Sequence, residues 1–370
     1  MKYVYRSTWK RVCAAALDTA GGVLRGKSSY PPAEPDRILV VRLDHLGDIL
    51  LTTGMPKALK EAYPSARVDL LVPSWGAPLF ENNPFVDDVL TYDAPWFAGS
   101  RFKRGSKRSW GALAGELRRR RYAIGLSLRG DAREHLLLRL GKVRYTIGYG
   151  ITGGGFLLSR VAPYLPGRHE LDRRADLLRE LGVRSADLGP KLYFRDDEDP
   201  EQLLSRLGVP AGRPRIGLQI GAGATSKTWS DDKVAEFVRL VGSRHPGAVL
   251  VLLGTRSPRL PDTPGLRVAD LTGRTGIREL CVSMRGLDAV VGYDSGPTHL
   301  ASALDVPTLF LYSGVNRFEE WKPLAESARV LRRPVDCSPC ELTACPIPGH
   351  PCLEGIQPSQ AAEELGKMLA

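Results

Sequence analysis

No apolar run among the 370 residues approaches the roughly 18 that a membrane-spanning helix requires. No transmembrane helix is therefore expected. The N-terminal stretch "VCAAALDTAGGVL" is rich in small apolar residues, but Asp18 interrupts the run that a secretion signal needs. A soluble, cytoplasmic chain is the expectation. Zinc-finger spacing, RNA-recognition aromatic motifs and basic-leucine heptads are all missing, which sets nucleic acid aside as a partner. A G-x-S-x-G nucleophile elbow is missing too, and no long internal repeat is evident.

What is present is ordinary globular material, 43% hydrophobic and 25% charged, long enough for two cores. The formal net charge of +11 comes mostly from arginine, clustered in "RFKRGSKRSW" and "ELRRRRYAIGLSLRGDAREHLLLRL". Such clusters suit an anionic membrane surface or a phosphorylated molecule; a solvated arginine-rich surface is the alternative. In the first residues Trp9, Val12, Cys13, Ala16 and Leu17 recur at helical spacing, beside Lys2, Arg6, Lys10 and Arg11. Two readings fit this pattern: a helix lying on a membrane surface, in peripheral contact with the inner membrane, and a packed terminal helix.

After the Pro-rich linker "SSYPPAEPD", which closes a basic amphipathic segment at 1–36, short β-rich runs alternate with amphipathic helical patterns. Strands are predicted at 37–43, 67–73, 86–92 and 122–128, with helices in "PKALKEAYP" and "WGALAGELRRRR". The mixed Pro, Gly and acidic stretch at 185–212 is read as a junction. Beyond it the rhythm repeats, with strands at 215–220, 248–254, 287–291 and 307–314 and a helix in "IRELCVSM". The expected fold class is α/β: two doubly wound parallel-sheet domains, at 37–190 and 205–335, followed by a Cys-rich tail and terminal helix at 336–370.

In a doubly wound sheet ligands sit at the carboxyl ends of strands, and three loops here hold that position. The first is "VVRLDHLGDILLTT". Gly47 permits a tight turn or close approach, and Asp48 falls in the first helical turn, where it either complements the helix dipole or accepts a proton from a substrate hydroxyl. Asp44, otherwise a turn cap, and His45 are substitutes for the proton role. The second loop, "IGLQIGAGATSKTWSDDKVAEFV", misses the phosphate-binding P-loop by one residue, since Ser226 stands where its second glycine belongs. It misses the dinucleotide fingerprint likewise, with Gly221 and Gly223 present and Ser226 in place of the third glycine. Ser230 reads as the N-cap of the next helix, which leaves Lys227 in the loop as either a phosphate-neutralising cation or a surface lysine. The third loop is "GYDSGPTHLA". Pro297 suits the first helical position with Ser295 or Gly296 as cap, so "THLASALD" is a short helix. Asp294, Ser295 and His299 lie too close along the chain for a hydrolase relay.

The three loops in this order resemble the glycosyltransferase family 9 heptosyltransferases, over most of residues 37–356. The matching text is "ILVVRLDHLGDILLTTGMPKALKEAYPSARVDLLV", "GAGATSKTWSDDKVAEFV" and "LTGRTGIRELCVSMRGLDAVVGYDSGPTHLASALDVPTLFLYSG". The resemblance implies a GT-B arrangement of two Rossmann-like domains facing an interdomain cleft. It further implies inverting, metal-independent transfer of heptose from ADP-heptose to a lipopolysaccharide inner-core or related phosphorylated glycolipid or saccharide acceptor, with no cofactor required for catalysis. Asp48 matches the family's proposed general base and Lys227 the basic residue at the donor phosphates. Thr225 and Ser226 match the phosphate-proximal turn, with Gly47 and Gly221 at the same donor side. Asp294, Ser295, Gly296, Thr298 and His299 match the donor-binding loop. One departure stands out: members often carry an acid for the ribose after the strand "VLLG", where this chain has Thr255 and Arg256. A related transferase using another nucleotide sugar on a polysaccharide or small-molecule acceptor is the first rival. A non-catalytic nucleotide-sugar binding protein is the second, and the retention of Asp48 and Lys227 argues against it.

Four of six cysteines fall in "CSPCELTACPIPGHPC": Cys337, Cys340, Cys345 and Cys352, with His350 beside them. They have the ligand character of a structural zinc site, although the second pair is not a C-x-x-C knuckle. Reduced, packed thiols are the alternative, since a cytoplasmic location disfavours disulfides.

Overall fold

Runs such as "RILVV", "VLVLL" and "TLFLY" carry β-branched and large apolar residues without polar alternation, the pattern of strands covered on both faces. The computed structural model, which describes residues 3, 7–22, 30–96, 109–184, 187–256 and 258–370, forms strands there. Lys2, Arg6, the basic cluster at 101–108 and the first two residues of the linker lie outside the described residues.

The chain divides into two compact units, Met1–Tyr193 and Phe194–Ala370. In the first unit the strands are β1 (Arg37–Val41), β2 (Arg67–Val72), β3 (Asp88–Thr91), β4 (Ile124–Ser127), β5 (Tyr145–Tyr149) and β6 (Arg160–Ala162). In the second they are β7 (Arg215–Gln219), β8 (Val249–Leu253), β9 (Arg267–Asp270), β10 (Ala289–Tyr293), β11 (Thr308–Tyr312) and β12 (Ala328–Arg332). The sheet orders are β3-β2-β1-β4-β5-β6 and β12-β11-β10-β7-β8-β9, and every pairing is parallel. Each order reverses direction once, between β1 and β4 and between β7 and β10. Those are the positions where a doubly wound sheet opens a crevice at its carboxyl edge.

One face of the first sheet packs Leu39, Val41 and Leu71 against Leu113, Leu117, Leu137 and Leu138 of the covering helices. The second core gathers Ile216, Leu218, Leu250 and Val291 with Phe237, Val238 and Val241. It also takes in the tail: Cys352, Leu353, Ile356, Ala361, Ala362 and Leu365 are all buried in it. The terminal helix Pro358–Leu369 packs on the helix Asp231–Arg244 and reaches β10 and β11. Leu365→Ala is therefore expected to lower the unfolding free energy of this unit by about 2–5 kcal/mol, read as a shifted urea midpoint at unchanged slope.

The N-terminal helix Thr8–Gly22 packs on the turn Gly155–Leu157. The face it uses is not the apolar stripe that the sequence picks out. Asp18 accepts hydrogen bonds from Tyr3 Oη at 2.8 Å and from the Gly155 amide at 3.1 Å. Gly21 lies so close to the Phe156 ring that a Cβ would overlap it. Trp9, Val12, Cys13, Ala16 and Leu17 remain exposed, so packing does not account for their spacing.

Candidate active site

In the first unit β1 runs into Arg42-Leu43-Asp44-His45, and the helix Leu46–Leu50 follows at once. Gly47 is the second residue of that helix, so the turn precedes it, and Asp48 is the third. Arg42, Asp44 and Asp48 are all buried. A buried guanidinium must be paired to be tolerated, and Arg42 has several partners. It donates to the Leu128 carbonyl at 2.7 Å, just past β4, pairs with Asp48 Oδ1, and lies 3.3 Å from Asp44 Oδ2 and 4.0 Å from Glu170 Oε2. Glu170 in turn pairs with Arg173 and lies 3.4 Å from Arg174, which donates to the Asp48 carbonyl at 3.1 Å.

These neighbours set the carboxylates apart. Burial pushes the Asp48 carboxyl up to about 6, against the pull of Arg42 and with help from the negative Asp44 and Glu170. Burial acts on Asp44 as well, but Arg42, the hydrogen bond from His45 and Arg129 hold it below the ordinary carboxylate range. Asp48 is thus the member of the pair that takes a proton near neutrality. Its Oδ1 is engaged by Arg42, while Oδ2 lies 3.9 Å from Nδ1 of the exposed His45. His45 Nδ1 also lies 3.1 Å from Asp44 Oδ1. Asp44 is buried but held charged, and His45 is exposed.

In the second unit the corresponding crevice lies between β7 and β10. After β7 the chain passes Gly221 and Gly223 to the 3-10 turn Thr225–Lys227. Both glycines face open space, with nothing within 4 Å of where a Cβ would stand. Lys227 Nζ donates to Asp294 Oδ2 at 3.0 Å and lies 3.3 Å from the Asp294 carbonyl, just past β10. Asp294 is buried and also meets His299 Nε2 at 3.3 Å and Asn316 Nδ2 at 2.6 Å. Burial works against the charge, yet His299 and Lys227 hold the Asp294 carboxyl below its usual range. Ser295 Oγ meets Thr298 Oγ1 at 3.1 Å rather than the imidazole, so no serine–histidine relay forms.

The helix Gly296–Ala303 starts one residue earlier than expected: Ser295 is the cap and Pro297 the second helical residue. Gly292 is required by packing, because a Cβ there would press on Gln219 Cβ at 2.8 Å and on Thr298. Ser230 does occupy the N-cap of the helix Asp231–Arg244, but its side chain makes no cap bond. The Glu354 carboxylate accepts its amide at 2.7 Å and its hydroxyl at 3.1 Å. Thr225 and Ser226 are likewise turned to the tail. Thr225 Oγ1 donates to the Thr343 carbonyl at 3.1 Å, and Ser226 bonds to both Leu342 and Thr343.

Three parts of this arrangement escaped the sequence reading: Arg42 with Glu170 and Arg174, Asn316, and the docking of 342–354 on the glycine-rich loop. Arg42 sits in the strand-end motif itself, and an arginine immediately past a buried strand was the available signal. Cys337 and Cys345 lie near enough to Cys352 to act on its thiol, but no three potential ligands among the described tail residues bring their ligating atoms within 4.8 Å of one another. Among the described residues, Asp44, His45 and Asp48 form the one group of three or more potential ligands whose ligating atoms lie within 4.8 Å of one another. Arg42 already supplies positive charge to two of its members.

The family model described as Glycosyltransferase family 9 (heptosyltransferase) matches residues 110–350, well over half of the chain. Lipopolysaccharide heptosyltransferase 2 of Salmonella typhimurium is 25% identical over 357 residues, covering 90% of this chain and 99% of its own. Among solved structures, E. coli ADP-heptose lps heptosyltransferase II aligns with a TM-score of 0.72 at 22% identity, over 90% of this chain and 98% of its own. E. coli heptosyltransferase WaaC with ADP aligns with a TM-score of 0.66 at 16% identity, over 90% and 99%. These likenesses fit the two parallel sheets and their crevices. The chain belongs to glycosyltransferase family 9, the heptosyltransferase family, and is a glycosyltransferase of GT-B fold.

Proposed function

We propose that the protein transfers a heptose from ADP-heptose to a lipopolysaccharide inner-core or related phosphorylated glycolipid acceptor, with inversion and without a metal. The observation that carries this reading is Asp48, a buried carboxyl whose proton affinity is raised to about 6. In the reaction an acceptor hydroxyl attacks the anomeric carbon, its proton passes to Asp48, and the bond to the diphosphate breaks. The departing ADP takes that electron pair, and Lys227 with the amides at the start of Gly296–Ala303 neutralises it. Positive charge from Lys227 serves where other transferases use a divalent ion. The relatives named for heptose transfer, and the one solved with ADP, support this donor.

Arg256 favours a second reading. It donates to Asp231 at 2.9 Å where an acid is common in the family, so the ribose contact differs and another nucleotide sugar is the rival donor. Nucleotide release across a panel of nucleotide sugars, with and without a truncated core acceptor and with EDTA present, separates the readings. Acceptor-dependent ADP release from ADP-heptose that survives EDTA is the expected result. Faster release from another donor selects the rival, and binding without acceptor-dependent release selects the non-catalytic reading. For the tail we propose reduced thiols without metal: Cys352 is packed, with burial raising its thiol, while Cys340 and Cys345 are half-buried and Cys337 is exposed. Stoichiometric zinc in the same preparation overturns that.

A further inference from the structure

The helix Thr8–Gly22 presents two opposed faces. Ala14, Asp18 and Gly21 are spent on the turn at 153–156. On the other side Trp9, Val12 and Leu17 are 65%, 61% and 50% exposed, with Ala16 between them. An exposed stripe containing a tryptophan needs an explanation, because isolated surface apolar residues do not recur at helical spacing by accident of packing.

The charge around the stripe says what covers it. Residues 1–30 contain Lys2, Arg6, Lys10, Arg11, Arg25 and Lys27 against one acid. That acid, Asp18, is turned inward to Tyr3 and Gly155. The segment therefore joins an exposed apolar stripe to an excess of basic residues in its sequence. A second copy of the chain would bring like charges together, whereas an anionic surface is attracted. We propose that this helix lies in the headgroup region of an anionic phospholipid bilayer, with Trp9, Val12, Ala16 and Leu17 toward the acyl chains. The inference is independent of the glycosyl-transfer reading.

Flotation of the full chain with vesicles tests it. With phosphatidylglycerol mixed into phosphatidylcholine, the chain floats; with phosphatidylcholine alone, the bound fraction falls about tenfold, and added salt has a similar effect. Trp9→Glu with Leu17→Glu lowers binding to the anionic vesicles by about tenfold or more while turnover of a water-soluble acceptor is unchanged. Both positions are exposed, so the melting temperature should hold; if it does not, Val12→Gln repeats the test. Equal binding by variant and parent overturns the proposal and moves any attraction to other basic surfaces. A self-association in light scattering that the double variant abolishes also overturns it, in favour of a second copy. Absence of binding to either vesicle does the same.

Discussion

Asp48→Ala lowers kcat by about 10²–10⁴-fold, the range associated with loss of a positioned general base. The fold should survive, because Arg42 keeps Asp44 at 3.3 Å and the Leu128 carbonyl at 2.7 Å, and alanine is a good helix former. Steady-state kinetics with saturating donor, alongside a melting curve, separate the two effects. The pH profile adds a signature that a structural role would not give. A base works only when unprotonated, so the parent rate rises with pH through about 6 and levels off above it. An ordinary aspartate would place that limb near its usual value of 3.8. The residual activity of the alanine variant should lack the limb near 6. Full turnover by Asp48→Ala, or a parent rate flat between about pH 5 and 7, rejects Asp48 as the base.

Lys227→Ala is expected to cost about 10²–10³-fold in kcat, comparable to removing one preorganised donor from a site where charge develops. Two of the ammonium's contacts are already directed at Asp294, to Oδ2 at 3.0 Å and to the carbonyl at 3.3 Å. An ammonium has three donors, so one remains for a phosphate oxygen. The alanine variant loses that donor and also leaves the buried Asp294 with only His299 and Asn316 of its side-chain partners. Lys227→Ala combined with Asp294→Asn helps to divide the two contributions, since the amide removes the buried charge without returning a cation. Restored thermal stability without restored turnover assigns the kinetic loss to the diphosphate. A loss confined to KM, with kcat intact, shows instead that Lys227 binds donor equally before and during bond breaking.

The strands that build the crevices were legible because they are continuous apolar runs bounded by Gly, Pro and Asp. The predicted 37–43, 215–220 and 248–254 contain β1, β7 and β8 within a residue or two at each end. What went unread lies toward the edges. β9 and β12 are short and partly exposed, as in "RVAD" and "ARVLR", and β6 has three residues. β5, "YTIGY", is buried throughout but broken by a glycine. Such strands hold their place through the neighbour they pair with, which composition does not record.

The candidate site divides in the same way. Asp48, Lys227 and Asp294 were legible because each follows a buried strand and lies at or beside a helix start. Arg42, Glu170 and Arg174 were not, because their contacts join chain segments more than a hundred residues apart. Thr225 and Ser226 looked like ligand groups from position alone, yet their hydroxyls are engaged with carbonyls of 342–343. The helix-start reading of the N-terminal cap at Ser230 placed the residue correctly and assigned its partner wrongly, since Glu354 supplies the bond.

The strand orders of the two units become identical when the second is taken from its other edge, β9-β8-β7-β10-β11-β12 against β3-β2-β1-β4-β5-β6. Asp48 follows the first strand of one and Lys227 the first strand of the other, and each meets a group that follows the fourth: Asp48 by way of Arg42, Lys227 directly. The chain thus carries one socket twice, with no repeat in its letters, filled once by an acid and once by a base. Each socket rests on its own core, so its loop can be altered without redesigning the other. On the proposed function, acceptor choice and donor choice can then drift independently under selection.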